Sequence, residues 1–456
     1  MNIPQLFADA LPDLRVSTAP DDLEAYGQDW TRLVKPAPSA IVFPASTEEV
    51  VKLVRLARRE ALHLVPSGGR TGLSGGASAG HGEVVVSLDR MDRILDFDPV
   101  DRLVHVQAGV VTQKLQEFAA EQGLSYPVDF ASKGSSQIGG NIATNAGGIK
   151  VLRYGMTRDW VAGLEVVTGT GEVLELNRGL IKNATGYDLR HLFIGSEGTL
   201  GIIVGATMEL AEPPPAQAVM VLATDSMSAV MEIFRLARNR LALSAFEFFS
   251  RPALEKVLAR HSLQRPLESS AEYYCLLEFD QDEDAALGFF EAAMEGGWAD
   301  DGVVSQSEAQ AQALWALREN ISESIAPDLP YKNDLAVRVS AVPAFLEELD
   351  ALVAERYPDF EVVWFGHIGD GNLHLNILKP AELEPEAFRS ACEGVNDEVF
   401  ALVRNYGGSI SAEHGVGLLK RPYLDYSRSA EELAAFRAIK QVFDPDRIMN
   451  PGKLID

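Results

Sequence analysis

In the first half of the chain, short apolar runs alternate with glycine-rich stretches. Residues 40–44 (Ala-Ile-Val-Phe-Pro) predict a strand. Residues 46–60 predict a helix, with Ser46 or Thr47 placed to cap it and Val50, Val51, Leu53, Val54 and Leu56 forming one apolar stripe. Residues 62–66 predict a second strand that runs into a glycine loop. Residues 83–88, 103–107, 164–168 and 172–176 predict further strands, the last two joined by the turn Gly169-Thr170-Gly171. At Glu212-Pro213-Pro214-Pro215 the pattern breaks, because consecutive prolines continue neither helix nor sheet. Longer stripes at helical spacing follow, predicting helices over 226–243, 308–324, 342–357, 385–405 and 430–442. Between them, 245–249, 273–279, 336–339 and 362–365 read as strands. The class is α+β. A meander of strands with helices on one face fits the second domain. The expected boundaries are 1–212, 216–420 and a C-terminal segment, 421–456, returning to the first domain.

Composition narrows the class without changing it. At 456 residues the chain exceeds one ordinary core of roughly 100–200 residues. A formal charge of −26 opposes binding to a phosphate backbone but leaves room for a local cationic pocket. Cys275 and Cys392 form no CxxC, which excludes a zinc ribbon or an iron–sulfur cluster held by this chain alone and suits a reducing cytoplasm. Met1-Asn2-Ile3-Pro4 opens without a basic n-region, and no apolar run reaches ~18 residues, so neither a signal peptide nor a membrane span is expected.

Three segments concentrate glycine and small polar residues: 66–76, 132–148 and 195–202. Glycine lets backbone N–H groups converge and lets a large ligand touch the main chain, an arrangement suited to a pyrophosphate. The P-loop pattern is absent, and no GxGxxG follows a strand to open a helix. The residues alone point to a large phosphate-bearing ligand held by backbone.

A second concentration lies at 364–377, where Asp370-Gly371 signals a two-residue hairpin turn. That turn would place His367 opposite His374 on one face, with Asn376 on the same side and Leu373, Leu375 and Ile377 on the other. Two imidazoles so placed can share a metal. Glu413, within Ser411-Ala412-Glu413-His414-Gly415, would add a carboxylate and leave His414 to act as a base. Two histidines, one carboxylate and an open position describe a catalytic site, with zinc, manganese, cobalt and iron(II) all open.

The first two glycine segments, Lys182-Asn183-Ala184-Thr185-Gly186-Tyr187-Asp188, the third segment and the terminal stretch 443–454 resemble the FAD domain of the vanillyl-alcohol-oxidase superfamily, and within it the FAD-linked D-2-hydroxy acid dehydrogenases. The resemblance runs from about residue 25 to the end. It implies that FAD is held by Pro66, Gly68, Gly69, Arg70, Thr71, Gly72, Leu73 and Ser74 in the first loop. In the second loop it implies Gly134, Ser135, Gly139, Gly140, Asn141, Thr144, Asn145, Gly147 and Gly148. Glu197, Gly198, Ile202 and Asn450 complete the set. Where some members carry a flavin-linking histidine this chain has Arg70, so the FAD is expected to be non-covalent. The same resemblance implies His367, His374 and Glu413 as metal ligands, Asn376 as a substrate contact and His414 as the base. It adds Arg318, Ser322 and Lys332 as the pocket for substrate carboxylates.

Within that branch, residues 27–31, 148–158 and 245–249 are similar to the bacterial D-2-hydroxyglutarate dehydrogenases. That family uses FAD and a divalent metal such as zinc, passes electrons to electron-transfer flavoprotein, and often accepts D-malate. A homodimer is the family expectation. The runner-up is a D-lactate or glycolate dehydrogenase of the same branch.

Overall fold

The computed structural model describes residues 3–32 and 34–455 and divides into two compact units. The first comprises Met1–Gly148, Gly155–Pro213 and Glu413–Asp456, and the second Ile149–Tyr154 and Pro214–Ala412. The chain thus crosses at Pro213 and returns at Glu413, ahead of the expected 421. The reason is local. In the first unit the Glu197 carboxylate accepts the N–H groups of Val416 and Gly417, both at 2.7 Å. Ser74 donates its hydroxyl to the carbonyls of His414 and Gly415. The segment Ile149–Tyr154 goes with the second unit, where Lys150 lies 3.1 Å from Glu278 and Arg153 pairs with Asp280.

The first unit contains two sheets. In the smaller, Arg15–Ser17 pairs antiparallel with Ala40–Phe43, which runs parallel to Val84–Ser87, as does Leu64–Ser67. The larger is antiparallel, in the order Ile94–Asp98, Leu103–Gln107, Gly201–Glu209, Val161–Thr168, Val173–Leu176. The helix Thr47–Glu60 is capped by Ser46, whose hydroxyl accepts the Glu49 N–H, and it buries Val50, Leu53, Val54, Leu56 and Ala57 in the shared core. Gly201–Glu209 and Ile94–Asp98 are strands that the sequence pattern did not separate from their surroundings. The first is buried along nearly its whole length, so it shows no alternation.

The C-terminal helix Ala430–Phe443 is tied to the third glycine segment by a buried ion pair. Lys440 donates to Asp444 (2.7 Å), to the Thr199 carbonyl (2.9 Å) and to the Met449 carbonyl (3.0 Å). Asp444 in turn accepts the N–H groups of Ile448 and Met449. Every polar atom of the pair is matched, which is what makes a buried charge tolerable.

The second unit is one seven-stranded antiparallel sheet ordered Asp301–Val304, Gln217–Thr224, Tyr273–Asp280, Leu243–Ser250, Val362–Gly366, Asn372–Ile377, Tyr331–Ala336. Helices cover both faces, not one. Arg251–Arg260, Glu308–Glu319 and Ile321–Ile325 pack on the face carrying Val221, Phe249 and Leu276. On the other face Phe234 of Met227–Arg240 meets Phe246, and Trp364 donates to Asp350 of Val342–Arg356. The strand expected at 336–339 is instead Tyr331–Ala336. The Val337 N–H turns to the Gly371 carbonyl, and 339–341 form a 3-10 turn. The long helices expected at 308–324 and 385–405 are each two, interrupted at Asn320 and at Gly394-Val395. Among the described residues no helix is long and apolar enough to cross a membrane.

Lys453, 1% exposed, sits among Asp29 and Glu83 in the first unit, and burial pushes its ammonium down to about 8. The unfolded chain keeps that proton up to the ordinary value of 10.5, so between about 8 and 10.5 the unfolded state binds more protons. Stability should therefore rise with pH in that window. The full penalty below it is of order 3 kcal/mol. Lys453→Met should flatten this rise in thermal unfolding measured from pH 7 to 10; a variant whose slope matches the parent would contradict it.

Candidate active site

The glycine segments meet in the first unit. Pro66 lies in the strand Leu64–Ser67, and Gly68 to Ser74 continue from its end. Arg70 adopts φ +61°, donates to the Gly68 carbonyl (2.9 Å) and stacks over Tyr26 at 4.2 Å. A Cβ on Gly69 would stand 2.1 Å from the Ser135 carbonyl oxygen, so the first and second loops are in backbone contact that only glycine permits. Gly139, Gly140, Asn141 and Thr144 lie in the short helix Ile138–Thr144, with Asn145 closing it in the left-handed region. Gly147 and Gly148 are buried, whereas Gly72, Gly134 and Ser135 are exposed along the loops and Thr71 and Leu73 are half-buried. Glu197 is buried, and burial raises its pKa against the two N–H groups that lower it. Gly198 and Ile202 follow it. Asn450 donates to the carbonyls of Glu197 and Gly76, while its Oδ1, like Ser67 Oγ, is buried without a hydrogen-bond partner among the described residues. Exposed glycine backbone can donate N–H groups to phosphate, and a buried acceptor can take an N–H or O–H of the same ligand, so the residues fit a large cofactor such as FAD.

The histidine hairpin belongs to the second unit, and its register differs from expectation. Phe365, not His367, stands opposite His374; the Asn372 N–H donates to the His367 carbonyl, closing a four-residue loop over 368–371. Gly371 takes φ +85° there, and a Cβ on it would strike the Val337 carbonyl at 2.1 Å. The shift is two residues, so every side chain keeps its face. His367 and His374 become diagonal neighbours whose rings meet edge to face with centroids 5.4 Å apart. Both are nearly buried.

Each histidine faces a buried carboxylate that sequence reasoning did not single out. His367 Nδ1 lies 2.8 Å from Glu247 Oε1, and His374 Nδ1 lies 3.7 Å from Asp334 Oδ1. Asp334 stands opposite His374 in the sheet and also accepts from Asn372 Nδ2 and the Ala412 N–H. With Nδ1 turned to a carboxylate, Nε2 is the nitrogen that would ligate a metal, the usual pattern for metal-bound histidine. Imidazole and carboxylate donors suit zinc and its neighbours. Glu413 and His414, adjacent in the first unit, have Oε1 and Nε2 3.7 Å apart. The signals that could have found these acids were present: Glu247 is a lone charge in the apolar run Ala245–Phe249, and Asp334 is two residues from Lys332.

Arg318 is 6% exposed, its guanidinium 4.7 Å over Phe365 and its Nη2 2.8 Å from Glu247 Oε2. The pairing is off-line, so Nε and Nη2 find no hydrogen-bond acceptor among the described residues. Lys332 lies opposite Asn376 on the face shared with Asp334 and His374. Its side chain is solvent-exposed, yet the surrounding protein desolvates the ammonium enough to lower its pKa. Asn376 is buried, with Nδ2 donating to the Val363 and His374 carbonyls. Ser322 is exposed, beyond the break at Asn320. The buried hydroxyl in that helix without a hydrogen-bond partner among the described residues is Ser324.

Comparison with known proteins shows the family. Residues 38–177 match the model of an FAD binding domain, and 213–454 that of the C-terminal domain of FAD linked oxidases. The chain is 59% identical to a D-2-hydroxyglutarate dehydrogenase of Stutzerimonas stutzeri over 96% of both chains. It is 37% identical to the mitochondrial D-2-hydroxyglutarate dehydrogenase of Bos taurus, over 97% of this chain and 81% of that one. Among solved structures it shares its fold with p-cresol methylhydroxylase (TM-score 0.75, 16% identity, 99% and 96% covered). It also matches alkyldihydroxyacetonephosphate synthase (TM-score 0.71, 19% identity, 98% and 84% covered). The chain belongs to the FAD-linked oxidase family of vanillyl-alcohol-oxidase fold that contains the D-2-hydroxyglutarate dehydrogenases.

Proposed function

We propose that this chain oxidises D-2-hydroxyglutarate to 2-oxoglutarate, with D-malate as a second substrate. The observation that carries the reading is Arg318. Among the described residues its Nε has no acceptor and its Nη2 meets Glu247 as an ion pair without hydrogen-bond alignment; such a buried guanidinium is costly unless a ligand supplies acceptors, and a carboxylate does so bidentately. Lys332, across the strand pair from Asn376, offers a second cation for the distal carboxylate of a dicarboxylic acid. Ser322 and Asn376 would complete the pocket.

When bound, FAD would supply the hydride acceptor, and a divalent cation, zinc on this reading, would supply Lewis-acid chemistry toward a substrate hydroxyl. His367, His374 and Glu413 would hold that cation, and His414 would accept the hydroxyl proton. Transfer of electrons to electron-transfer flavoprotein, a homodimeric state and a cytoplasmic location are carried over from the family resemblance. The two buried free cysteines suit a reducing compartment.

Lys332→Ala should lower kcat/KM for D-2-hydroxyglutarate by roughly 30-fold or more while changing turnover of D-lactate little; equal losses on both would remove the distal-carboxylate role. His414→Ala should slow flavin reduction by about 100-fold or more with little change in substrate binding. Unchanged reduction rates in rapid mixing would remove it as the base. Gly69→Ala, which sets a methyl against the Ser135 carbonyl, should purify with little flavin. Acid precipitation of the parent should leave the yellow colour in the supernatant, because Arg70 offers no linkage; a yellow pellet would contradict this.

A further inference from the structure

We propose that Glu247 is a positioning residue that fixes His367 with its proton on Nδ1 and, through the same carboxylate, holds the Arg318 guanidinium. This rests on the reading of His367 and His374 as metal ligands.

Glu247 is 1% exposed in the strand Leu243–Ser250. Its neighbours on the same face, Ala245 and Phe249, are apolar core. A carboxylate there must be matched by opposite charge and by hydrogen bonds to be tolerated. The register Phe248 to Gly366 and Phe249 to Phe365 sets Glu247 across from His367. Its two oxygens go to different partners, both at 2.8 Å: Oε1 is hydrogen-bonded to His367 Nδ1, and Oε2 forms an ion pair with Arg318 Nη2 without hydrogen-bond alignment. The Arg318 guanidinium lies over Phe365, whose ring is 5.0 Å from that of His374. The substrate anchor and the metal hairpin are therefore joined by one carboxylate on one side and one aromatic ring on the other.

A carboxylate at Nδ1 keeps the proton on that nitrogen. It turns the Nε2 lone pair outward, raises its basicity and holds the ring plane. The same negative charge offsets Arg318, keeping a buried guanidinium in place before any ligand arrives. Glu247 touches neither reacting atoms nor cofactor in this scheme; its effect passes through His367 and Arg318.

The test is zinc affinity of the FAD-loaded protein, measured by competition with a chromophoric chelator, with flavin occupancy as the control for folding. Glu247→Gln keeps size and an acceptor oxygen but removes the charge. It should weaken zinc binding by roughly 10- to 100-fold at unchanged flavin occupancy. Zinc affinity equal to that of the parent would overturn the inference while leaving the metal reading intact. A parent protein that takes up no zinc would overturn both. Should the variant fail to fold, ¹⁵N-histidine NMR of the parent decides, with the His367 signals assigned by their loss in His367→Gln. A proton on Nδ1 supports the role, and a proton on Nε2 overturns it.

Discussion

The pleat of the seven-stranded sheet decides which residues of the second unit share a surface. On one face, every second residue of Gln217–Thr224, Tyr273–Asp280 and Leu243–Ser250 is covered by the helices Arg251–Arg260, Glu308–Glu319 and Ile321–Ile325, and those positions are mostly apolar. Further along the same face, on Val362–Gly366, Asn372–Ile377 and Tyr331–Ala336, the positions are Phe365, His374, Asn376, Asp334 and Lys332. Phe365 also belongs to the helix-covered core, so apolar and polar positions follow one another on one face of one sheet. Glu247 and Glu278 are buried acids on this face: Glu247 is hydrogen-bonded to His367 and ion-paired with Arg318, and Glu278 meets Ser244, Trp315 and Lys150.

The first unit solves a different problem. Its glycine loops expose backbone to a large ligand, and such loops need outside support. Buried charge supplies it. Glu197 gathers the N–H groups of Val416 and Gly417, Lys440 and Asp444 fix the end of the C-terminal helix, and Asn450 ties Gly76 to Glu197. The terminal segment is thus a brace for the loops. This explains why the distant stretch 443–454 belongs to the same resemblance as the glycine segments.

Much of this was legible in the sequence because its signals are local. The proline run marks the crossing at Pro213, Ser46 caps where a capping residue should, and Asp370-Gly371 marks a turn. What escaped was set by pairing across distance. Loop length at 368–371 depends on Gly371 fitting under Val337, which no local rule reveals, yet the resulting shift by two preserved the histidine face. Asp334 and Glu247 become site neighbours only through strand order. Gln217–Thr224, buried over nearly its whole length, lacks the alternation that identifies a half-buried strand.

On the proposed function, Arg318 and Lys332 together select a hydroxy dicarboxylate. Anaerobic mixing of the flavin- and metal-loaded protein with D-2-hydroxyglutarate, D-malate, D-lactate and glycolate in turn, following flavin absorbance, tests it most directly. Rapid bleaching with the two dicarboxylates and slow or no bleaching with the others is the expected result. Bleaching as fast with D-lactate or glycolate, or none with any of the four, would contradict it.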